Sequence, residues 1–210
     1  MMKSIFFGVV AIAVAFLSFY QETAQAQEQT GSAPAEYKWD AMDDQCRRAL
    51  HGQINKEFDA SIIYLKYAAF FAQEKINLPG FEKFFFHAAG EEREHGIKLI
   101  EYALMRGHEP VDKLKFNLDY SYRVPSSTDG EAALRAALQQ EEKVTHSIRE
   151  VIKACETGTN DYHLVDYLTG EYLDEQHKGQ RELAEKIETL RKMKKTAPKL
   201  GEFLFDKSHM

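Results

Sequence analysis

The fold class that the sequence predicts is all-α, a four-helix bundle with one long crossover and a short fifth helix at the C-terminal end. Three observations carry that expectation. Apolar residues recur at helical spacing over four stretches far longer than an ordinary helix. The five prolines and twelve glycines tend to fall between those stretches. Finally, the connection between the second and third stretches is long, whereas the other two are short.

The first helix is expected over roughly 41–73, with Ile54, Ser61, Ala68 and Phe71 on one face. After the Asn77-Leu78-Pro79-Gly80 break, a second over 79–106 aligns Phe81, Phe85, Ala88, Leu99 and Ala103. The third, over 130–157, carries Leu134, Leu138, Val144, Ile148, Val151 and Cys155. The fourth, over 162–194, carries Val165, Leu168, Tyr172, Leu183, Ile187 and Leu190. Beyond Pro198, Lys199–Phe205 forms the short fifth helix. Short links make antiparallel hairpins of helices one and two and of three and four. The segment His108–Gly130 is different. A helix of about 28 residues is about 42 Å long, and about 20 extended residues reach roughly 66 Å. The link can therefore run the length of the bundle, which makes helices two and three parallel. Tyr120, Tyr122 and Val124 argue that it packs against the bundle and is not a loose linker.

The hydrophobic content of 44% and the formal charge of -6 describe a mildly acidic globular chain. Neither gives a basic surface for nucleic acid. Ahead of the bundle, Lys3 precedes the apolar run Ile5–Phe19, and Ala24-Gln25-Ala26 precedes Gln27. A basic start, a short apolar middle and a small-residue site make 1–26 a secretory signal peptide, too short for a comfortable membrane span. Residues 27–40 then read as a flexible extension and 41–210 as the domain. The expected location is the secretory pathway (ER or Golgi lumen) or the extracellular fluid. There Cys46 and Cys155 can pair with each other or with another chain. Helix one starts at the end of the bundle where helix three finishes, so an intrachain bond suits the topology, and a bridge between subunits stays open.

Acidic and polar residues occupy positions where the apolar stripes should continue. Helix one reads Ile54, Glu57, Ser61, Tyr64, Ala68, Phe71 in steps of three and four, which put Glu57 and Tyr64 on the inward face. Helix two reads Phe85, Ala88, Glu92, His95, Leu99; helix three places Glu141 after Leu138; helix four places Gln176 after Tyr172. One such residue alone is ordinarily a boundary side chain with its charge in water. Acids converging from several helices would repel one another in a medium that already penalises charge, unless a cation binds them. The Glu92-x-x-His95 pair aims two ligands at one ion. Carboxylate with imidazole suits iron or manganese, with zinc also open.

The segments NKEFDASIIYLKYAAFF (55–71), HAAGEEREHGIKLI (87–100), LQQEEKVTHSI (138–148), GEYLDEQHK (170–178), LRKM (190–193) and EFLFDK (202–207) resemble the ferritin family in order and spacing. The signal peptide and the two cysteines resemble its secreted, insect-type members. In that family heavy-type subunits carry a ferroxidase centre. The resemblance implies that Glu57, Glu92 and His95 hold a first iron, and that Glu141 with the bridging Glu92 holds a second. It also makes Tyr64 the nearby tyrosine and Gln176 the orienting amide. It implies further a shell of 24 subunits around a ferric oxyhydroxide mineral, homo- or hetero-oligomeric with a light-type chain. Fe(II) and dioxygen would be substrates, and neither nucleic acid nor membrane a partner. Glu91 and Glu94 match carboxylates of iron transit and nucleation, and Asp166 matches an acid of the entry channel. At the companion glutamate position of that channel stands Thr169. Two rivals are a non-catalytic subunit of a mixed shell and a secreted helical signalling protein. The first should lack one of the acid or imidazole ligands; the second has no use for core acids and needs two long crossovers.

Overall fold

A computed structural model describes residues 42–107, 115–157 and 160–210. The expected leader 1–26 and extension 27–40 lie outside the described residues, as does the start of the crossover. All regular elements among the described residues are helical. They are α1 (Asp44–Phe71), α2 (Pro79–Met105), α3 (Gly130–Glu156), α4 (Tyr162–Tyr167), a π segment (Leu168–Leu173), α5 (Asp174–Met193) and α6 (Pro198–Ser208). No helix among them is long and apolar enough to cross a membrane.

The helix starts are chemically marked. Asp43 accepts hydrogen bonds from the amides of Gln45 and Cys46, Asp129 from Ala132, and Asp161 from Leu164. Each satisfies donors that a first turn leaves orphaned. Asn77, at φ 50°, turns the chain between α1 and α2, a left-handed position that asparagine tolerates.

Contacts at the helix ends settle the topology. The Cys46–Cys155 disulfide, with a Cα–Cα distance of 4.5 Å, joins the start of α1 to the end of α3, so these two run antiparallel. A Cβ on Gly130 would lie 2.3 Å from the Phe81 ring, which puts the starts of α2 and α3 at one end of the bundle. Helices two and three are therefore parallel, as the long link requires. Along the way Lys66 Nζ donates to the carbonyls of Tyr120 and Tyr122 at 2.6 and 2.8 Å. The hydroxyls of Tyr67 and Tyr122 sit 2.6 Å apart, and Tyr122 and Val124 pack on the core. The crossover is strapped to α1, while Tyr120 itself stays exposed.

The fourth rod departs from the expected uninterrupted helix. Over its first part the buried residues are Leu164, Leu168, Tyr172 and Gln176, in successive steps of four, with Val165 only half-buried. In a regular α-helix each step of four drifts by roughly 40° around the axis. The π segment, with its wider turn, absorbs that drift and keeps all four side chains facing in. Ala88 and Leu138 likewise prove half-buried, and Ala89 is the buried residue on α2.

The core comes in two apolar halves. One, around Leu50, Ile54, Leu99, Ile148 and Leu164, encloses the disulfide. The other is aromatic, with Phe71 stacked on Phe81 and Phe85 at 4.9 and 5.8 Å. Buried polar residues lie between the halves.

Helix α6 closes the aromatic end with two carboxylates four residues apart. Asp206 accepts from the Phe81 amide at 2.9 Å, and Glu202 accepts from the Gly130 amide at 2.6 Å. Helix α2 has no side-chain cap of its own, since Leu78 precedes it. Asp206 therefore serves as a cap borrowed from another helix. At Gly80 any Cβ would lie 2.1 Å from the Asp206 carbonyl oxygen, so only glycine admits this contact. Asp206→Ala is expected to cost about 1–2 kcal/mol, read as a lower urea midpoint with an unchanged slope.

Candidate metal centre

The polar layer between the two apolar halves is built by α1, α2, α3, the π segment and α5. Steps of three and four carry Glu57 and Tyr64 inward on α1 and Glu92 and His95 inward on α2. Ser61 fastens those two helices beside the site by donating to the Ala89 carbonyl at 2.6 Å. The result is a cluster: one ligand atom from each of Glu57, Glu92 and His95 falls within 4.8 Å of the other two. All three residues are buried.

Hydrogen bonding within the cluster is incomplete. Gln53 Nε2 donates to Glu57 Oε1 at 2.8 Å, and the Ser147 hydroxyl donates to Gln53 Oε1 at 2.7 Å. That leaves Glu57 Oε2, Glu92 Oε2 and His95 Nδ1 buried without a hydrogen-bond partner, although His95 Nδ1 lies 3.5 Å from Glu92 Oε2. Such orphans are rare in native structures and need an explanation. Burial first, and repulsion by Glu92 second, holds the Glu57 carboxyl well above the usual carboxylate range. Burial and then Glu141 do the same to Glu92. A bound cation removes both penalties, and the free oxygens and imidazole nitrogen are the donors it needs.

Glu141 stands on the opposite side, half-buried, and takes a hydrogen bond from the Tyr64 hydroxyl. Burial, followed by the nearby Glu141 charge, pushes the Tyr64 phenol well above its ordinary value, so it stays a donor. Gln176 is buried on α5 with its Oε1 accepting from Thr145 at 2.9 Å. Thr145 in turn accepts from Gln180 at 2.6 Å. Tyr64, Glu92, His95, Glu141 and Gln176 line one cavity of about 260 Å³. Glu91 borders the same cavity from an exposed position and pairs with His87 at 3.1 Å. Glu94 is exposed and pairs with Lys98 at 3.5 Å. Asp166 and Thr169 are exposed, on α4 and the π segment.

Four residues of the site escaped the sequence reading. Gln53, four before Glu57, carried a signal in its inward spacing. Glu175, whose Oε2 lies 3.3 Å from His95 Nε2, is half-exposed beside Gln176 and has no periodic signature. Tyr172 looked like core; its hydroxyl donates to the His95 carbonyl at 2.8 Å. Gln180 donates to Thr145 at 2.6 Å and to the Glu141 carbonyl at 3.4 Å.

Fold and site together define a four-helix bundle with a carboxylate–imidazole cluster, chemically suited to a metal ion, buried at mid-height. Comparison with known proteins narrows that class. The model of the ferritin-like domain matches residues 47–193. The ferritin heavy chain of Aedes aegypti is 78% identical over 210 residues, covering 100% of both chains. That of Drosophila melanogaster is 51% identical over 176 residues, covering 81% of this chain and 83% of its own. Among solved structures, the secreted ferritin of Trichoplusia ni superposes with a TM-score of 0.77 at 48% identity, covering 84% of this chain and 95% of that one. The chain belongs to the ferritin family. Family membership makes it an iron-storage subunit, and subunits of this family assemble into shells.

Proposed function

We propose that this chain is a catalytic, secreted ferritin subunit that oxidises Fe(II) with dioxygen at the mid-bundle cluster and passes the product to a ferric mineral. The observation that carries the reading is the set of three unpartnered buried donor atoms on Glu57, Glu92 and His95. Glu57, Glu92 and His95 hold one Fe(II), and Glu141 with a bridging Glu92 holds the second. Two ions in one site let two electrons reach one dioxygen molecule. Tyr64 keeps the Glu141 carboxylate turned towards the cavity, and Gln176, fixed by Thr145, orients what enters it. The second position has fewer acids, since α5 offers an amide where another carboxylate would bind harder; weaker binding there lets product iron leave.

Residues 1–26 act as the signal peptide, 27–40 as the extension and 41–210 as the di-iron domain. Glu91 and Glu94 serve iron transit and nucleation, and Asp166 borders the entry channel. The shell has 24 subunits, alone or mixed with a light-type chain. The reading is tested by Fe(II) oxidation in air, followed optically, in the purified protein and in Glu92→Ala combined with His95→Ala. The variant is expected to lose the fast phase; since removing even a hydrogen-bond partner of a metal ligand typically costs about 10- to 100-fold, loss of two ligands should lower the rate at least that far. Equal rates would leave a storage subunit without catalysis.

A further inference from the structure

A run of aromatic rings leads away from the metal cluster. The Tyr172 ring centre lies 5.5 Å from the His95 imidazole. Tyr167 follows at 5.7 Å from Tyr172, and Tyr102 stacks on Tyr167 at 4.9 Å with planes 16° apart. The run ends at His163, whose Nδ1 is 2.8 Å from the Tyr102 hydroxyl. The rings come from α2, α4 and the π segment, so three separately encoded elements converge on one line.

Proton positions along this line differ. Arg106 donates to the Tyr102 oxygen at 2.9 Å, and a guanidinium cannot accept. With His163 in its Nε2-protonated tautomer, Nδ1 is the acceptor for the Tyr102 hydroxyl hydrogen and an imidazole nitrogen able to take its proton. Tyr172 points its hydroxyl at the His95 carbonyl, which is no base. A phenol that loses an electron becomes strongly acidic, so the oxidised state settles where the proton has somewhere to go. That place is Tyr102. Arg106 is itself held by Asp161, through two contacts of 2.8 Å, which keeps this end rigid.

We propose that Tyr172, Tyr167 and Tyr102 form a one-electron conduit that draws oxidising equivalents out of the metal site and rests them on Tyr102. The proposal builds on the ferroxidase reading above, which supplies the oxidant. Two Fe(II) reduce dioxygen to hydrogen peroxide. When peroxide then meets a lone Fe(II), it needs two electrons and the ion supplies one. Tyr102 supplies the other through Tyr167 and Tyr172. The O–O bond breaks to two hydroxides, Fe(II) becomes Fe(III), Tyr102 becomes a neutral phenoxyl radical and its proton moves to His163. Charge and atoms balance, and no hydroxyl radical is released among the buried ligands.

The test mixes assembled protein carrying substoichiometric Fe(II) with hydrogen peroxide and reads the frozen sample by electron paramagnetic resonance. Aerobic Fe(II) oxidation is measured on the same preparations. The unaltered protein is expected to give a tyrosyl signal, reduced several-fold in Tyr102→Phe and in Tyr167→Phe and unchanged in Tyr120→Phe. Tyr167→Phe keeps the stacked ring, so it separates the redox role from folding. Peptide mass spectrometry should show oxidative lesions shifting towards His95 and Tyr64 in the two conduit variants. An equal signal in both variants, or one that vanishes only in Tyr64→Phe, overturns the conduit while iron oxidation stays intact. Failure of the unaltered protein to oxidise Fe(II) overturns the ferroxidase reading and the conduit with it.

Discussion

Replacing Glu57 and Glu92 together by glutamine is expected to make the metal-free protein more stable and, at the same time, indifferent to added cations. Each side chain keeps its shape, while the pair changes from two acceptors facing one another to two amides that can donate as well as accept. Relieving a buried oxygen that lacks a partner is worth about 1–3 kcal/mol. The pH dependence has a definite sign. Both carboxyls sit well above the ordinary value of 4.5 in the folded protein, through burial first and neighbouring acids second. A raised folded-state value means that stability is complete below about 4.5 and is lost as pH rises towards the folded-state values. The advantage of the double variant should therefore be small in acid and grow towards neutrality. Thermal melts in chelator across that range check it, comparing assembled protein with assembled protein. Added Zn(II), as a redox-silent probe, should raise the melting temperature of the unaltered protein only. At 100 times the dissociation constant a ligand contributes about 2.7 kcal/mol. A variant that melts lower than the unaltered protein, or still responds to zinc, would contradict this account of the cluster.

The second large effect belongs to the disulfide. Cys46 and Cys155 are 109 residues apart in sequence, so the bond closes a loop around the first three rods in the unfolded chain. For a closed loop of about 100 residues, the chain-entropy model gives about 4.7 kcal/mol. Cys46→Ala with Cys155→Ala is expected to lose most of that; alanine is chosen because both positions are fully buried and a serine hydroxyl would add a desolvation penalty. Urea unfolding with and without the pair measures it. The same burial should make the native bond inert to reductant until denaturant is added. On a non-reducing gel the denatured chain should run as a compact monomer that slows on reduction. A covalent dimer would instead place the bond between subunits.

Much of this architecture was legible in the residues because long helices advertise themselves. The breaks at Asn77–Gly80 and Pro198 bounded elements to within a few residues, and the length of the 108–130 link dictated parallel packing of helices two and three. Glu57, Glu92 and His95 stood out because they interrupt an apolar stripe at its own spacing. The π segment did not, since propensity carries no mark of a widened turn; only the fours in Leu164, Leu168, Tyr172 and Gln176 hinted at it. Glu175 and Gln180 were invisible because half-exposed polar residues on a helix look like any solvated face. The partnership of Glu202 and Asp206 with α3 and α2 was hidden for another reason: it joins residues more than seventy positions apart through backbone amides, which have no sequence identity at all.

That partnership bears on the order in which the chain can be completed. Helix α6 is translated after the four rods it closes, and domains begin to fold while synthesis continues at about 5–20 residues per second. Until α6 emerges, the first turns of α2 and α3 have fewer acceptors than they need. The rods can pair early, yet the aromatic end of the bundle stays open during that interval. A nascent chain stalled before α6 would therefore show the frayed starts of α2 and α3 to chaperones.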